Sequence, residues 1–280
     1  MKVTDTSANK EGTNMKKIGF IGAGNMGGAL ATAAKRSSHE ILLSDASHKK
    51  AEALATAISA KAVSSKEICE NADMIFLGVK PQVLDKVATE LLPYFKNRSS
   101  LPILVSMAAA VSLEKLSTLF PDFPIIRIMP NTPVSVGAGM ILYSLGEGIS
   151  ENDEALFIDV LKFAGTVDKL DEKLIDAASA VSGCGPAFVY MFIDSLADGG
   201  VKCGLPRDKA LKYASTAVLG AAKLQLETGI HPDELKDAVC SPGGTTIAGV
   251  AALEKGAFRS SGINAVESAY KRTLELTAKK

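Results

Sequence analysis

The stretch Ile18-Gly19-Phe20-Ile21-Gly22-Ala23-Gly24-Asn25-Met26-Gly27 decides the fold. Four apolar or small residues read as a strand. The glycines then turn the chain, and Met26, Leu30 and Ala33/Ala34 repeat at helical spacing over Asn25 to Lys35. G-x-G-x-x-G in a strand–turn–helix context is the pattern of a dinucleotide-binding unit. Gly22 permits the tight turn, Gly24 leaves the backbone open to a pyrophosphate, and Gly27 lets helix and strand pack closely. Asn25 and Met26 open the helix, whose free N–H groups and positive dipole end face the phosphates.

Downstream, His39 to Leu43 reads as a second strand ending at Ser44-Asp45. Asp45 stands 23 residues beyond Gly22, where an acidic side chain meets the adenosine ribose hydroxyls. An aspartate there favours NAD. Ser47, His48, Lys49 and Lys50 follow at once and could pair with a 2′-phosphate, so NADH and NADPH both stay open. Lys49 to Ile58 has a helical apolar face, and Lys61-Ala62-Val63 is a short strand candidate. Asp73 to Val79 is a buried strand that stops at Val79-Lys80-Pro81, because proline lacks a donor and holds Lys80 extended. Loops after parallel strands face the cofactor cleft, which places these three residues there. Pro102 to Met107 is another strand. Ala108 and its alanine neighbours either admit a nicotinamide ring or simply pack tightly. Ile125 to Met129 is a strand that ends in the polar turn Pro130-Asn131-Thr132-Pro133, with Asn131 a cofactor-cleft candidate. Gly139 to Tyr143 reads as a strand, Glu151 to Ala164 as a helix, and Thr166 to Leu170 as a return to the sheet edge. Such alternation predicts an α/β fold, a mostly parallel sheet covered on both faces.

Strand signals stop near Asp168 to Asp171, and helices follow: Asp171 to Val181, Pro186 to Gly199, Pro206 to Thr228, Pro232 to Cys240, Thr245 to Lys255 and Ile263 to Leu276. The expected organisation is a polar disordered lead (1–14), a dinucleotide-binding domain (15–169) and an all-helical domain (170–280). Ala187 to Ile193 is apolar nearly all round. Ala214, Ala217 and Ala221 form a stripe of small residues suited to close helix approach. That much apolar surface on helices predicts interlocking with a second subunit, most simply as a symmetric homodimer. Ser241-Pro242-Gly243-Gly244-Thr245-Thr246 precedes a helix. Its backbone N–H groups and hydroxyls could cradle a carboxylate, or merely cap the helix.

Composition narrows the classes. Lys+Arg and Asp+Glu balance at 31 each over 280 residues, without the basic clustering that nucleic acid requires. There is no Trp and little aromatic stacking surface. The longest unbroken apolar runs are well short of a membrane span. Met1 to Asn14 lacks an apolar signal core. Cys69, Cys184, Cys203 and Cys240 form no C-x-x-C pair, so free thiols in a cytoplasmic protein are expected, and no metal site.

From Met15 onward the chain resembles the pyrroline-5-carboxylate reductases. The most specific stretch is Cys240-Ser241-Pro242-Gly243-Gly244-Thr245-Thr246-Ile247, with His231-Pro232 and Leu235-Lys236-Asp237 upstream. Ala197-Asp198-Gly199-Gly200-Val201, Gly204-Leu205-Pro206-Arg207, Val79-Lys80-Pro81 and Met129-Pro130-Asn131-Thr132-Pro133 also match. The resemblance implies a Rossmann domain binding NADP(H) or NAD(H), and C-terminal helices interlaced in a homodimer, with rings of dimers in some members. It implies reduction of 1-pyrroline-5-carboxylate to L-proline, the last step of proline biosynthesis. Ser241, Gly244, Thr245 and Thr246 would then hold the substrate carboxylate, and Thr246 would hydrogen-bond the ring nitrogen as the catalytic residue. A protonated imine is already an electrophile, so no strong protein acid is demanded. His39, His48 and His231 accordingly take structural readings.

The chain departs from the family pattern in having Cys184, Phe188 and Ala110 where small polar residues, Tyr and Gly are usual. A β-hydroxyacid dehydrogenase is the nearest rival, but it needs a lysine acid in the helix after Gly185. Pro186 to Gly199 has none, and the next is Lys202. A reductase of another cyclic imine would share the same pattern, as would a catalytically silent dinucleotide-binding regulator.

Overall fold

A computed structural model describes residues 15–277. The expected disordered lead, 1–14, lies outside the described residues. In chain order the elements are β1 (Lys17–Ile21), α1 (Asn25–Ala34), β2 (Glu40–Ser44), α2 (His48–Ile58), β3 (Lys61–Ala62), α3 (Ser65–Asn71), β4 (Met74–Leu77), α4 (Leu84–Leu91), β5 (Ile103–Ser106), α5 (Leu113–Leu119), β6 (Ile125–Pro130), β7 (Gly139–Leu145), α6 (Glu151–Leu161) and β8 (Gly165–Lys169). The helices α7 (Glu172–Ser182), α8 (Gly185–Lys202), α9 (Arg207–Thr228), α10 (Pro232–Ala238), α11 (Thr245–Lys255) and α12 (Phe258–Thr277) complete it.

The strands form one sheet in the order β3-β2-β1-β4-β5-β6-β7-β8. Every pairing is parallel except β6 with β7, which runs antiparallel after the short turn Thr132–Val136. Alternation along the strands feeds two apolar layers. Ile18, Phe20 and Phe76 join Leu30 and Ala34 of α1 on one face. Ile21, Ile75 and Leu77 join Ile68 of α3 and Leu84 of α4 on the other. Phe20 and Phe76 stack at 4.5 Å across the centre. The α/β reading therefore holds, with strand ends within a residue or two of expectation.

Three short helices, α3, α4 and α5, have no counterpart in the sequence reading. Each has eight residues or fewer, too few for an apolar period to stand out. Local signals were present all the same: Ser64 accepts the N–H of Glu67 and Ser112 that of Lys115, the S-x-x-E type of start at the first of them.

The chain divides into two compact units. One runs through Ser179 and takes in Thr273 onward, and the other is Ala180–Arg272. Helix α7 starts in the first unit for an electrostatic reason. Arg127, buried on β6, gives Nη1 to Glu172 Oε1 at 3.0 Å and Nη2 to Asp176 Oδ1 at 2.8 Å. Glu172 Oε1 also accepts the N–H of Leu113 at 2.6 Å. The compositional change at Asp168–Asp171 thus marks where strands stop, and the division at Ser179 marks where packing on the sheet stops.

The helical unit is thinly packed by itself. Its core is Ala197 of α8 against Ala210 and Ala214 of α9, with Ile193 half-buried beside them. The small-residue stripe thus lies one turn earlier than expected: Ala217 and Ala221 are exposed, because α8 meets α9 at its N-terminal end, where Gly200 allows close approach to Ala210. Val189, Tyr190, Met191, Leu219 and Leu226 are exposed. The run Glu172–Lys202 is long and apolar enough, by length and composition alone, to cross a membrane.

Candidate functional site

Register brings three strand ends to one level. Ile21 of β1 pairs with Ser44 of β2 and with Leu77 of β4. The next residues, Gly22, Asp45 and Gly78, therefore lie side by side where strand order reverses between β1 and β4. That is the crevice where doubly wound sheets bind their ligands. The N–H of Gly22 is held by Ser44 O and that of Gly78 by Ile21 O, both at 2.8 Å.

Gly22 and Gly24 do different work. Gly22 has φ +109°, and a Cβ there would lie 2.5 Å from Gly78 O, so the protein's own backbone requires glycine. Gly24 has φ −71° and is exposed, and a Cβ would meet no protein atom within 4 Å. The protein's own atoms leave the space at Gly24 open, as close approach of a pyrophosphate to the backbone would require. Helix α1 also begins without a side-chain cap, leaving its first N–H groups for an anion. The residues present fit a dinucleotide.

A cleft of about 470 Å³ is lined by Gly22, Gly24, Asp45, Ala46, Ser65, Gly78, Val79 and Lys80, with Val83, Glu90 and Tyr94 of the α4 side. The carboxylate of Asp45 accepts the N–H of Ala23 at 2.8 Å through Oδ2, and that of Ser47 at 2.9 Å through Oδ1. Gly22, Gly24, Asp45, Val79 and Lys80 are thereby brought together, and Asn25, Met26 and Gly27 form the first turn of α1 beside them.

Ser44, Pro81, Ala108 and Asn131 do not line this cleft. Ser44 is buried, its hydroxyl 2.8 Å from that of Ser65. Ala108 is buried, consistent with tight packing at that strand end. Asn131 Oδ1 accepts the N–H of Met140 at 2.9 Å and so ties β6 to β7. Pro81 opens a short turn and borders a separate cavity with Ala110. Sequence reading missed Ser65, Gly78, Glu90 and Tyr94. Only Gly78, a glycine at a strand end, carried a signal.

The second candidate loop, Ser241 to Thr246, lies in the helical unit. Gly243 has φ +68°, and Gly244 N donates to Ser241 O at 3.0 Å. Gly244 occupies the cap position of α11, which has no side-chain cap. Ser241, Thr245 and Thr246 are exposed. The two helix starts read as anion sites, α1 and α11, share a glycine at the cap position; α2, α4, α8 and α9 also begin without a side-chain cap, on other residues, whereas Ser64, Ser112 and Ser150 cap α3, α5 and α6.

The histidines take the structural readings given to them. His39 is buried, its Nδ1 accepting the N–H of Lys16 and its Nε2 lying 3.0 Å from Asp159 Oδ2. His48 pairs with Glu52 on the surface, and His231 caps α10 by accepting the N–H of Asp233. All four cysteines are free. Burial pushes the Cys69 thiol up to about 12, which keeps it protonated and inert.

Comparison with known proteins adds the identity of the group. Residues 172–276 match the family model described as pyrroline-5-carboxylate reductase dimerisation. Residues 17–110 match that of NADP oxidoreductase, coenzyme F420-dependent. The chain is 43% identical to the pyrroline-5-carboxylate reductase of Arabidopsis thaliana, with 93% of this chain and 95% of that one covered. It is 41% identical to that of Escherichia coli, covering 94% and 98%. Among solved structures, pyrroline carboxylate reductase of Plasmodium falciparum with NADP bound superposes with TM-score 0.82 at 30% identity, covering 94% of this chain and all of that one. The enzyme of Coxiella burnetii gives 0.85 at 28% identity, covering 94% and 99%. At this identity over nearly the whole length, the chain belongs to the pyrroline-5-carboxylate reductase family.

Proposed function

We propose that the protein reduces 1-pyrroline-5-carboxylate to L-proline, using NADH or NADPH. The observation that carries this reading is the pairing, in a member of this family, of two glycine-capped, open helix starts with different surroundings. The α1 start, with the cleft beside it, suits a pyrophosphate. The α11 start, with Ser241, Thr245 and Thr246 around it, suits a carboxylate.

When bound, the reduced nicotinamide supplies hydride to the imine carbon. The protein's part is binding and orientation. Asn25, Met26 and the glycine turn hold the pyrophosphate, with Val79 and Lys80 along the cleft wall. The first-turn N–H groups of α11 and the hydroxyls of Ser241 and Thr245 hold the carboxylate. Thr246 hydrogen-bonds the ring nitrogen, which receives the electron pair of the C=N bond as the amine forms. Protonated imine needs no further acid, in keeping with three histidines all occupied structurally.

In this reading residues 15–169 are the cofactor domain, and 170–280 the substrate and dimerisation domain. The homodimer interlaces its helical domains, which covers Val189, Tyr190 and Met191 and accounts for the apolarity of Glu172–Lys202 without a membrane. Assembly into a ring of dimers and residence in the cytoplasm complete the proposal. The test follows nicotinamide absorbance with pure protein and 1-pyrroline-5-carboxylate, with L-proline measured as product. Tight cofactor binding without imine-dependent oxidation would refute it, and would favour another cyclic imine or a silent regulator.

A further inference from the structure

We infer that Asp45 makes this protein prefer NADH over NADPH, by holding a fixed negative charge where the 2′-phosphate of NADPH would lie. The inference rests on the proposed use of a nicotinamide dinucleotide and selects between its two forms. Sequence left the choice open, since an acid at Asp45 and a basic run at His48-Lys49-Lys50 argue in opposite directions.

The geometry separates the two. Asp45 and Ala46 line the cleft. His48, Lys49 and Lys50 stand on the exposed first turn of α2 and do not line it, and the His48 imidazole is engaged with Glu52 at 3.2 Å. The Asp45 carboxylate is also immobilised. Its two oxygens accept backbone N–H groups from opposite sides, Ala23 of the glycine turn and Ser47 ahead of α2. Turning away to admit a phosphate would forfeit both charge-assisted bonds. Each oxygen keeps a further lone pair, the complement of a ribose 2′-hydroxyl and 3′-hydroxyl, which donate. A 2′-phosphate offers charge of the same sign and no comparable donor. Glu90 adds a second acid to the cleft wall, against the single lysine, Lys80.

The experiment is equilibrium titration of the intact protein with NADH and with NADPH, following reduced-nicotinamide fluorescence, and with AMP and adenosine 2′,5′-bisphosphate by calorimetry. The last two differ only in the 2′-phosphate and need no turnover, so the result stands whether or not 1-pyrroline-5-carboxylate is the substrate. The expected result is Kd at least tenfold lower for NADH than for NADPH, with AMP favoured over the bisphosphate in the same sense. Asp45→Asn should close most of that gap by lowering the Kd for NADPH. A purely structural brace at Asp45 would instead raise both Kd values together and leave their ratio unchanged, which would overturn the inference. Equal binding, or tighter binding of NADPH, by the unmodified protein would overturn it without any variant.

Discussion

Replacing Gly24 by valine should separate folding from cofactor binding. Gly24 has φ −71° and ψ −176°, an extended conformation that valine adopts readily, and a Cβ there meets no protein atom within 4 Å. Two small stability terms oppose each other. Removing glycine restricts the unfolded chain and stabilises by about 0.4–1 kcal/mol. Losing glycine from the cap of α1 costs about 0.5–1 kcal/mol. The net should be near zero, and the melting temperature should move by no more than about 2–4 °C. Cofactor affinity should fall at least tenfold, about 1.4 kcal/mol, because the isopropyl group occupies the volume the pyrophosphate enters. Fluorescence titration with NADH or NADPH reads the second effect, and a thermal melt followed by circular dichroism reads the first. Unchanged cofactor affinity in a folded variant would refute the assignment of the α1 turn as the phosphate site. A matched Gly22→Ala variant gives the contrast: at φ +109° and with Gly78 O in the way, it should lose stability outright.

Other outcomes follow from the remaining site and the core. Thr246→Ala should lower kcat/KM for the imine at least tenfold, about 1.4 kcal/mol, while the cofactor Kd stays the same; steady-state kinetics beside the same titration decides this. Cys69, with its thiol pushed up to about 12 by burial, should resist iodoacetamide at pH 8 in the native protein and react on unfolding, as peptide mass mapping would show. Tyr143 Oη donates to Glu154 Oε1 at 2.6 Å, and this bond, with Lys169 also adjacent, holds the Glu154 carboxyl below the usual carboxylate range. A depressed carboxyl contributes stability above its unfolded pKa, and that contribution is lost as pH falls through the folded value. Tyr143→Phe should therefore cost about 1 kcal/mol at neutral pH and less once the pH has fallen below the usual carboxylate range and the Glu154 carboxyl is protonated, so that the two melting curves converge on acidification.

The strand–turn–helix at Ile18 to Gly27 was legible in sequence because its signals are local: a backbone turn that only glycine makes, and a period that one helix repeats. The same holds for the long helices and for a mostly parallel sheet, since strand and helix periods alternate along the chain; the strand order and the antiparallel pairing of β6 with β7 came only from the structure. The loop from Ser241 to Thr246 was legible as a possible carboxylate cradle by its glycines and hydroxyls, and the resemblance singled it out. Residues whose role depends on a neighbour far along the chain were not legible. Ser65 borders the cleft only because β1 and β2 set its level, and Arg127 reads as one more residue in a strand until Glu172 and Asp176 arrive to pair it. Asp45 shows the division most clearly. Its position after β2 marked it as the acid that a bound ribose would meet. Tertiary structure alone decided that both its oxygens are pinned by Ala23 and Ser47 while Lys49 and Lys50 stay on the surface, because hydrogen bonds across the βαβ crossover, rather than sequence distance, determine which charge faces the cleft.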